Sequence, residues 1–332
     1  MKALIQKLVE TCAPSGYEAA IRDLVYGEVK DLVDDIRVDA LGNLIARKGR
    51  SGGQGKRIML AAHLDEIGLI ATHVDENGFV RFTTLGGVRP HTLYGGRVRF
   101  INGAAGVIGS ERLENMERVH SFEKMFIDVG ATSAEDCPVR VGDVAAFERP
   151  FLEMGKRLVA KSMDDRIAVA VLIEVLRRLQ SSPHELYFVF TTQEEVGVRG
   201  AGTAAFGIDP QLGIAVDVTG CGDTPKGIKM EVGLGKGPAI KVKDSGMIAD
   251  PRVVRWMANA AEKAGIPHQF EILEGGSTDA RAIQLTRAGV LAGCLSIPCR
   301  YIHTPSEMVD TDDVQYAVAL LLELLAAPID MQ

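Results

Sequence analysis

The stretch Leu186-Tyr187-Phe188-Val189-Phe190, followed after Thr191-Thr192 by Gln193-Glu194-Glu195-Val196-Gly197, decides the reading of this chain. Five consecutive apolar residues, mostly aromatic or β-branched, read as an interior strand. Two adjacent carboxylates just beyond such a strand are costly to bury unless a cation compensates them. A metal ion is the simplest such cation. The arrangement recurs along the chain. His63 follows Ile58-Met59-Leu60-Ala61-Ala62, Asp217 follows Ile214-Ala215-Val216, and His303 closes Arg300-Tyr301-Ile302-His303. Asp164-Asp165 adds a second acid pair. In open α/β sheets, ligands gather beyond the carboxyl ends of the strands, so these separate runs would deliver their polar groups to one edge. Imidazole and carboxylate donors suit zinc, cobalt or manganese. A carboxylate shared between two ions holds them about 3.5–4 Å apart.

Each of these residues has an ordinary explanation when taken alone. A single His63 is more often a satisfied or exposed histidine than a ligand. Asp164-Asp165 can simply open a helix, where acids favour the N-terminal dipole. Glu194-Glu195 can be a solvated loop, Asp217 a turn residue, and His303, before Thr304-Pro305, a loop histidine. Asp65 shifts the balance, because a carboxylate two residues after His63 is placed to orient its imidazole. Two histidines and several carboxylates, nearly all at strand ends, point jointly to a di-metal hydrolase.

Working outward, the chain to Val33 reads as helical, with Pro14-Ser15-Gly16 as a break. Ile36 to Val38 and Leu44 to Arg47 read as a hairpin, Ser51 to Gly55 as a loop, and Ile58 to Ala62 as an interior parallel strand. Between about Ile67 and Glu153 the texture changes. Glycines recur at Gly78, Gly86, Gly87, Gly95, Gly96, Gly103, Gly106 and Gly109, separated by short β-rich pieces that end at Val144 to Phe147. That pattern predicts a small β-barrel or sandwich. From Lys161 the α/β pattern returns. A helix is expected over Asp164 to Leu179, with Ala168, Val171, Leu172 and Val175 on its apolar side. Strands follow at Leu186 to Phe190, Gly213 to Val218, Gln269 to Leu273 and Val290 to Ser296. Helices are expected over Pro251 to Ala264, after Asp279, and over Asp312 to Leu325. The fold class is therefore α/β: a mixed sheet flanked by helices, interrupted by an inserted small β-barrel domain. The expected division is 1–66 with 155–332 for the α/β domain and 67–154 for the insert.

Composition narrows the function classes. A chain of 332 residues with 46% hydrophobic content can bury a sizeable core and is not disordered. A formal net charge of −7 with no long basic run argues against nucleic acid as a partner. Five scattered cysteines without a Cys-x-x-Cys pair fit a reduced, cytoplasmic protein and exclude thiolate zinc spacing. Leu4, Ile5, Leu8 and Val9 make an amphipathic helix rather than a signal peptide, and the apolar run Ala317 to Ala327 contains Glu323 and is too short for a bilayer. No membrane partner is expected.

The motifs also resemble a known family. His63-Leu64-Asp65-Glu66-Ile67-Gly68, Met163-Asp164-Asp165-Arg166, Gln193-Glu194-Glu195-Val196-Gly197, Ala215-Val216-Asp217, Ser277-Thr278-Asp279-Ala280 and Arg300-Tyr301-Ile302-His303-Thr304-Pro305-Ser306-Glu307 occur in family order over nearly the whole chain. Together they resemble the tetrahedral aminopeptidases, di-metal peptidases of zinc-exopeptidase-like fold that also include glutamyl aminopeptidases, deblocking aminopeptidases and CelM-type endoglucanases. Leu64, Thr304 and Ser277 are mild departures that bear on specificity.

The resemblance implies roles. His63 and Asp217 would bind one divalent ion, Glu195 and His303 a second, and Asp164 both, with the Asp164–Asp165 peptide cis. Glu194 would be the general base and Asp65 the support of His63. The expected ions are two per chain, zinc or cobalt first and manganese as a further choice. The expected substrates are short peptides with a free α-amine. The insert would mediate assembly of dimers into a hollow dodecamer. Two other classes remain open from the residues. Glycoside hydrolysis also needs two carboxylates, but one Trp and 5% aromatics offer little for sugar stacking. A non-catalytic scaffold is disfavoured by the complete ligand set.

Overall fold

The computed structural model describes residues 1–49, 55–112 and 121–331; of the loop expected at Ser51 to Gly55, Ser51 to Gln54 lie outside the described residues. After helices α1 (Lys2–Glu10) and α2 (Ala19–Val29), the chain forms β1 (Asp35–Val38), β2 (Leu44–Lys48) and β3 (Arg57–His63). The next strands are β4 (Gly68–Val74), β5 (Val80–Leu85), β6 (Arg97–Phe100), β7 (Ala105–Ser110), β8 (Met125–Asp128) and β9 (Val144–Phe147). They close into a barrel in the order β4-β5-β8-β7-β6-β9. The chain returns through β10 (Leu152–Met154), β11 (Arg157–Ala160), α3 (Met163–Arg178), β12 (Glu185–Thr191), α4 (Arg199–Ile208) and β13 (Leu212–Thr219). It ends with β14 (Ala239–Lys243), α5 (Pro251–Ala264), β15 (Gln269–Ile272), α6 (Asp279–Gln284), β16 (Leu291–Arg300), β17 (Glu307–Asp310) and α7 (Thr311–Ala326).

These α/β strands form one mixed 11-stranded sheet, β1-β2-β12-β3-β13-β16-β17-β11-β10, with β14 and β15 branching from β16. Its centre is parallel: β12 with β3, β3 with β13, and β13 with β16. Side chains alternate between two cores, as the two-residue period of a strand demands. Ile58, Leu60 and Ala62 of β3, with Leu186, Phe188 and Phe190 of β12, face α1, α2, α3, α5 and α7. Met59, Ala61 and Val189 face α4 and α6. Burying both faces explains why these runs are continuously apolar rather than alternating. Each buried Phe or Leu contributes about 1.5–3 kcal/mol. The barrel keeps a core of its own, including Leu69, Phe82, Val98, Phe100, Ile127 and Phe147.

Three differences from the sequence reading have physical reasons. Helix α3 is not amphipathic in place: Ile167, Val169, Ala170 and Ile173 are as fully buried as Ala168 and Val171, because α1, α2 and α7 cover the face away from the sheet. Helix α4 was hidden by its glycines, which disfavour helix by about 1 kcal/mol each. Gly200 is required there, since a Cβ would lie 2.5 Å from the Thr192 carbonyl oxygen and 2.3 Å from Asn43 Oδ1. Strand β10, inside the range 67–154 expected for the insert, pairs with β11 in the large sheet instead; the barrel strands end at Phe147.

Buried charges fasten the segment between sheet and barrel. Arg166 is fully buried and donates to the carbonyl oxygens of Leu64 at 2.7 Å and Leu8 at 2.7 Å. Glu66 accepts from Lys161 Nζ at 2.6 Å and from the Ala13 backbone at 2.9 Å. Hydrogen bonds to charged groups contribute about 1.5–3 kcal/mol each, so the four residues that follow β3 have little freedom.

Candidate metal centre

Parallel pairing places the ends of β3 and β12 side by side, with His63 opposite Thr191. β13 runs parallel on the other side of β3 and carries Asp217 toward the same edge. Two further elements close over that edge: the first turn of α3, with Asp164 and Asp165, and the β16–β17 loop, with His303. The Asp164–Asp165 peptide is cis.

Asp164 lies at the middle of the resulting cluster. Its Oδ1 is 3.0 Å from His63 Nε2, and its Oδ2 is 3.5 Å from His303 Nε2. His303 Nε2 is also 3.0 Å from Glu195 Oε2. Ligand atoms of His63, Asp164 and Glu195 all lie within 4.8 Å of one another, as do those of His63, Asp165 and Asp217. The structure thus brings together His63, Asp164, Glu195, Asp217 and His303. Glu194, half-buried, borders the cluster: its carboxyl senses the charges of His63, Asp217 and Glu195.

The surrounding groups hold the backbone rather than the cluster itself. Asp65 accepts from the backbone amides of Glu194 at 3.0 Å and Glu195 at 3.1 Å, and from the Ser15 hydroxyl at 2.6 Å. His63 Nδ1 lies 3.1 Å from the Asp65 carbonyl oxygen and 3.5 Å from its Oδ1. Asp65 therefore lies behind the His63 ring and also fixes the backbone of the loop carrying both glutamates. Glu307 accepts from the backbone amides of Asp164 at 2.9 Å and His303 at 2.8 Å. The sequence motif gives Glu307 no role; its signal is a carboxylate four residues after His303, at the start of a buried strand. Asp165 is in sequence only the neighbour of Asp164, yet its Oδ2 accepts from the His63 amide at 3.2 Å and it joins the group with Asp217. Asp279, in a quoted motif, accepts from Thr191 Oγ1 at 2.5 Å beside the cluster.

Burial and mutual repulsion dominate the electrostatics of the cluster. Burial pushes the carboxyls of Glu194, Asp217 and Asp165 well above the ordinary range, and neighbouring acids add to it. Burial also raises Glu195, reinforced by Asp164. Burial disfavours the His303 imidazolium, but hydrogen bonds to Asp164 and Glu195 outweigh it and push its pKa up to about 11. His63 moves up in the same way, against its own burial, through Asp164 and Asp65. A cation among these groups would offset the repulsion between their carboxylates and favour their ionised forms. Glu195 Oε1 and Asp165 Oδ1 are buried with no hydrogen-bond partner. Unpaired carboxylate oxygens, two imidazoles and a shared Asp164 fit divalent ions, whose binding displaces such protons.

The comparisons agree over the whole chain. A family model described as M42 glutamyl aminopeptidase matches residues 42–320. A protein of Acetivibrio thermocellus named as an aminopeptidase is 46% identical over 325 residues, covering 97% of each chain. The lysyl aminopeptidase of Pyrococcus furiosus is 37% identical over 337 residues, covering 97% of this chain and 96% of its own. Among solved structures, aminopeptidase APDkam598 from the archaeon Desulfurococcus kamchatkensis has a TM-score of 0.93 at 42% identity, covering 97% of this chain and 93% of its own. The Pyrococcus horikoshii TET1 peptidase, described as able to assemble into a tetrahedron or a large octahedral shell, has a TM-score of 0.89 at 34% identity and covers 98% and 99%. Likeness of this extent makes the molecule a peptidase, a hydrolase of peptide bonds. More narrowly, the chain belongs to the M42 glutamyl aminopeptidase family, whose enzymes are metallopeptidases, and it is an aminopeptidase.

Proposed function

We propose that the chain removes N-terminal residues from short peptides at a pair of divalent ions. One ion would be held by His63 and Asp217, the other by Glu195 and His303, with Asp164 shared. The single observation that carries this reading is Asp164, whose two oxygens each face a different histidine. Bound there, divalent ions supply Lewis-acid charge to the scissile carbonyl and acidify the attacking water. Glu194 takes the proton of that water as its oxygen bonds to the carbonyl carbon. It then delivers the proton to the departing amine as the C–N bond breaks. Asp65 serves by fixing the backbone of Glu194 and Glu195. A free α-amine brings a nitrogen donor or a positive charge to this carboxylate-rich cluster, and acetylation removes both. Zinc or cobalt suits the imidazole and carboxylate donors best, with manganese as a third choice.

The barrel, in the insert taken as 67–154, would serve assembly into a dodecamer through dimers; the assembling TET1 relative supports this. A cytoplasmic setting is supported by five free cysteines; no helix among the described residues is long and apolar enough to cross a membrane. The test compares free and N-acetylated peptides on protein of known metal content. Cleavage of the free peptides alone, with two ions per chain, is expected. Equal rates on both, or full activity without stoichiometric metal, would refute the reading.

A further inference from the structure

Among the described residues, the barrel contributes no side chain to the cluster, yet its backbone reaches it. Gly86 and Gly87 form the turn that leaves β5. Gly86 has φ +78°, and a Cβ there would lie 2.7 Å from Ile67 Cγ2 and 3.1 Å from Glu195 Oε2. Gly87 is not left-handed. A Cβ on it would lie 2.4 Å from His303 Nδ1 and 2.7 Å from His303 Cε1, and its three nearest atoms would all belong to that imidazole. Conformation and space together demand glycine at 86; the His303 ring alone demands it at 87.

The turn is itself anchored. The Val88 amide donates to the Gly86 carbonyl oxygen at 3.0 Å, and Val88 and Ile67 are buried in the barrel core. An imidazole that ligates a metal ordinarily has its second ring nitrogen held by an outer partner. His63 has Asp65 in that place. On His303, the Nδ1 side is where Gly87 packs.

We propose that the Gly86-Gly87 turn is a positioning element of the metal centre. It seats His303 and Glu195, so that the placement of the barrel sets the affinity for one of the two ions. This rests on the reading of His303 and Glu195 as ligands. It gives the insert a role at the catalytic cluster separate from assembly. Val88 transmits the position of the barrel core to the ring, and the ring's Nε2 meets Glu195 and Asp164 on its far side.

The experiment titrates metal-free full-length protein with Zn²⁺ by calorimetry, alongside elemental analysis and thermal melting of the metal-free form. Wild type, His303→Ala, Gly87→Ala and the double variant are compared. Wild type should bind two ions and His303→Ala one. Gly87→Ala should weaken the same ion by about 10–100-fold, the range for changes to outer partners of a ligand, leaving the other ion unchanged, and any fall in the metal-free melting temperature should vanish when the double variant is compared with His303→Ala. The double variant should match His303→Ala, because the alanine then has no ring to displace. If wild type binds fewer than two ions, or His303→Ala keeps both, the ligand reading fails. If those two behave as expected and Gly87→Ala binds both ions like wild type, the positioning role is overturned. Should Gly87→Ala fail to fold, recovery of folding in the double variant supports the contact with the ring. Equal failure of both overturns it.

Discussion

His63 and His303 face opposite oxygens of the same carboxylate, yet the molecule holds them in different ways. His63 ends a parallel interior strand, is 2% exposed, and has Asp65 behind its Nδ1. His303 sits on a loop with φ +62°, its side chain is 26% exposed, and Gly87 of the barrel covers its ring. Tyr301, two residues earlier, is also left-handed at φ +63°. A non-glycine residue in that region costs about 1–2 kcal/mol, so the loop holds its shape only because other contacts enforce it. Glu307 is one, through the His303 amide. One half of the cluster follows from sheet geometry. The other half is assembled from a strained loop, the carboxylate of Glu307 and the backbone of the barrel.

The largest expected effect lies on Glu194, the base that borders the cluster. Glu194→Gln should reduce kcat by about 10²–10⁴-fold while both ions remain bound. Unchanged turnover at full metal content would remove Glu194 as the base. Next come the histidines. His63→Ala and His303→Ala should each remove a different ion, with losses exceeding the ~10–100-fold typical of outer partners. Calorimetric titrations in which both variants lose the same ion would collapse the two halves into one site. Asp65→Asn should fall inside that ~10–100-fold range, acting on the His63 ion and lowering kcat through the Glu194 backbone. An Asp65→Asn protein with wild-type binding and kcat would mean that the amide serves as well as the carboxylate. The smallest effect belongs to the loop. Tyr301 is 52% exposed, so Tyr301→Gly gives up little packing and relieves the left-handed backbone. A gain of about 0.5–1 kcal/mol in urea unfolding is expected, after glycine's own entropic cost. A loss of stability would show that Tyr301 is not strained.

The same asymmetry explains what the sequence disclosed. His63, Glu194, Glu195 and Asp217 were legible because each follows an apolar strand, and parallel strands deliver their ends to one edge. The glycine-punctuated stretch announced the barrel for an equally local reason. Gly86 and Gly87 were visible only as two glycines among many, since Glu195 lies more than one hundred residues beyond Gly86 and His303 more than two hundred beyond Gly87. Glu307 and Asp165 also hold backbone amides of distant elements, those of Asp164 and His63, and no local pattern encodes those pairings. Helix α4 was obscured because Gly200 serves a tertiary contact against its own helix propensity. What depends on strand period was readable; what depends on which distant backbone arrives was not.

Helix α3 has a consequence for how the molecule opens. Its first turn carries Asp164 and Asp165, and nearly all of its length is enclosed between the sheet and α1, α2 and α7. Amides so enclosed exchange with solvent only when the whole domain unfolds, whereas exposed loops open with little free energy. Residues 301–306 are half-buried or exposed and belong to no helix or strand. In a hydrogen–deuterium experiment the α3 amides should be among the last to exchange and those of Tyr301, Ile302 and Thr304 among the first. The two sides of Asp164 would then keep very different time, with its anchorage tied to the lifetime of the folded protein and its His303 side to the breathing of a loop.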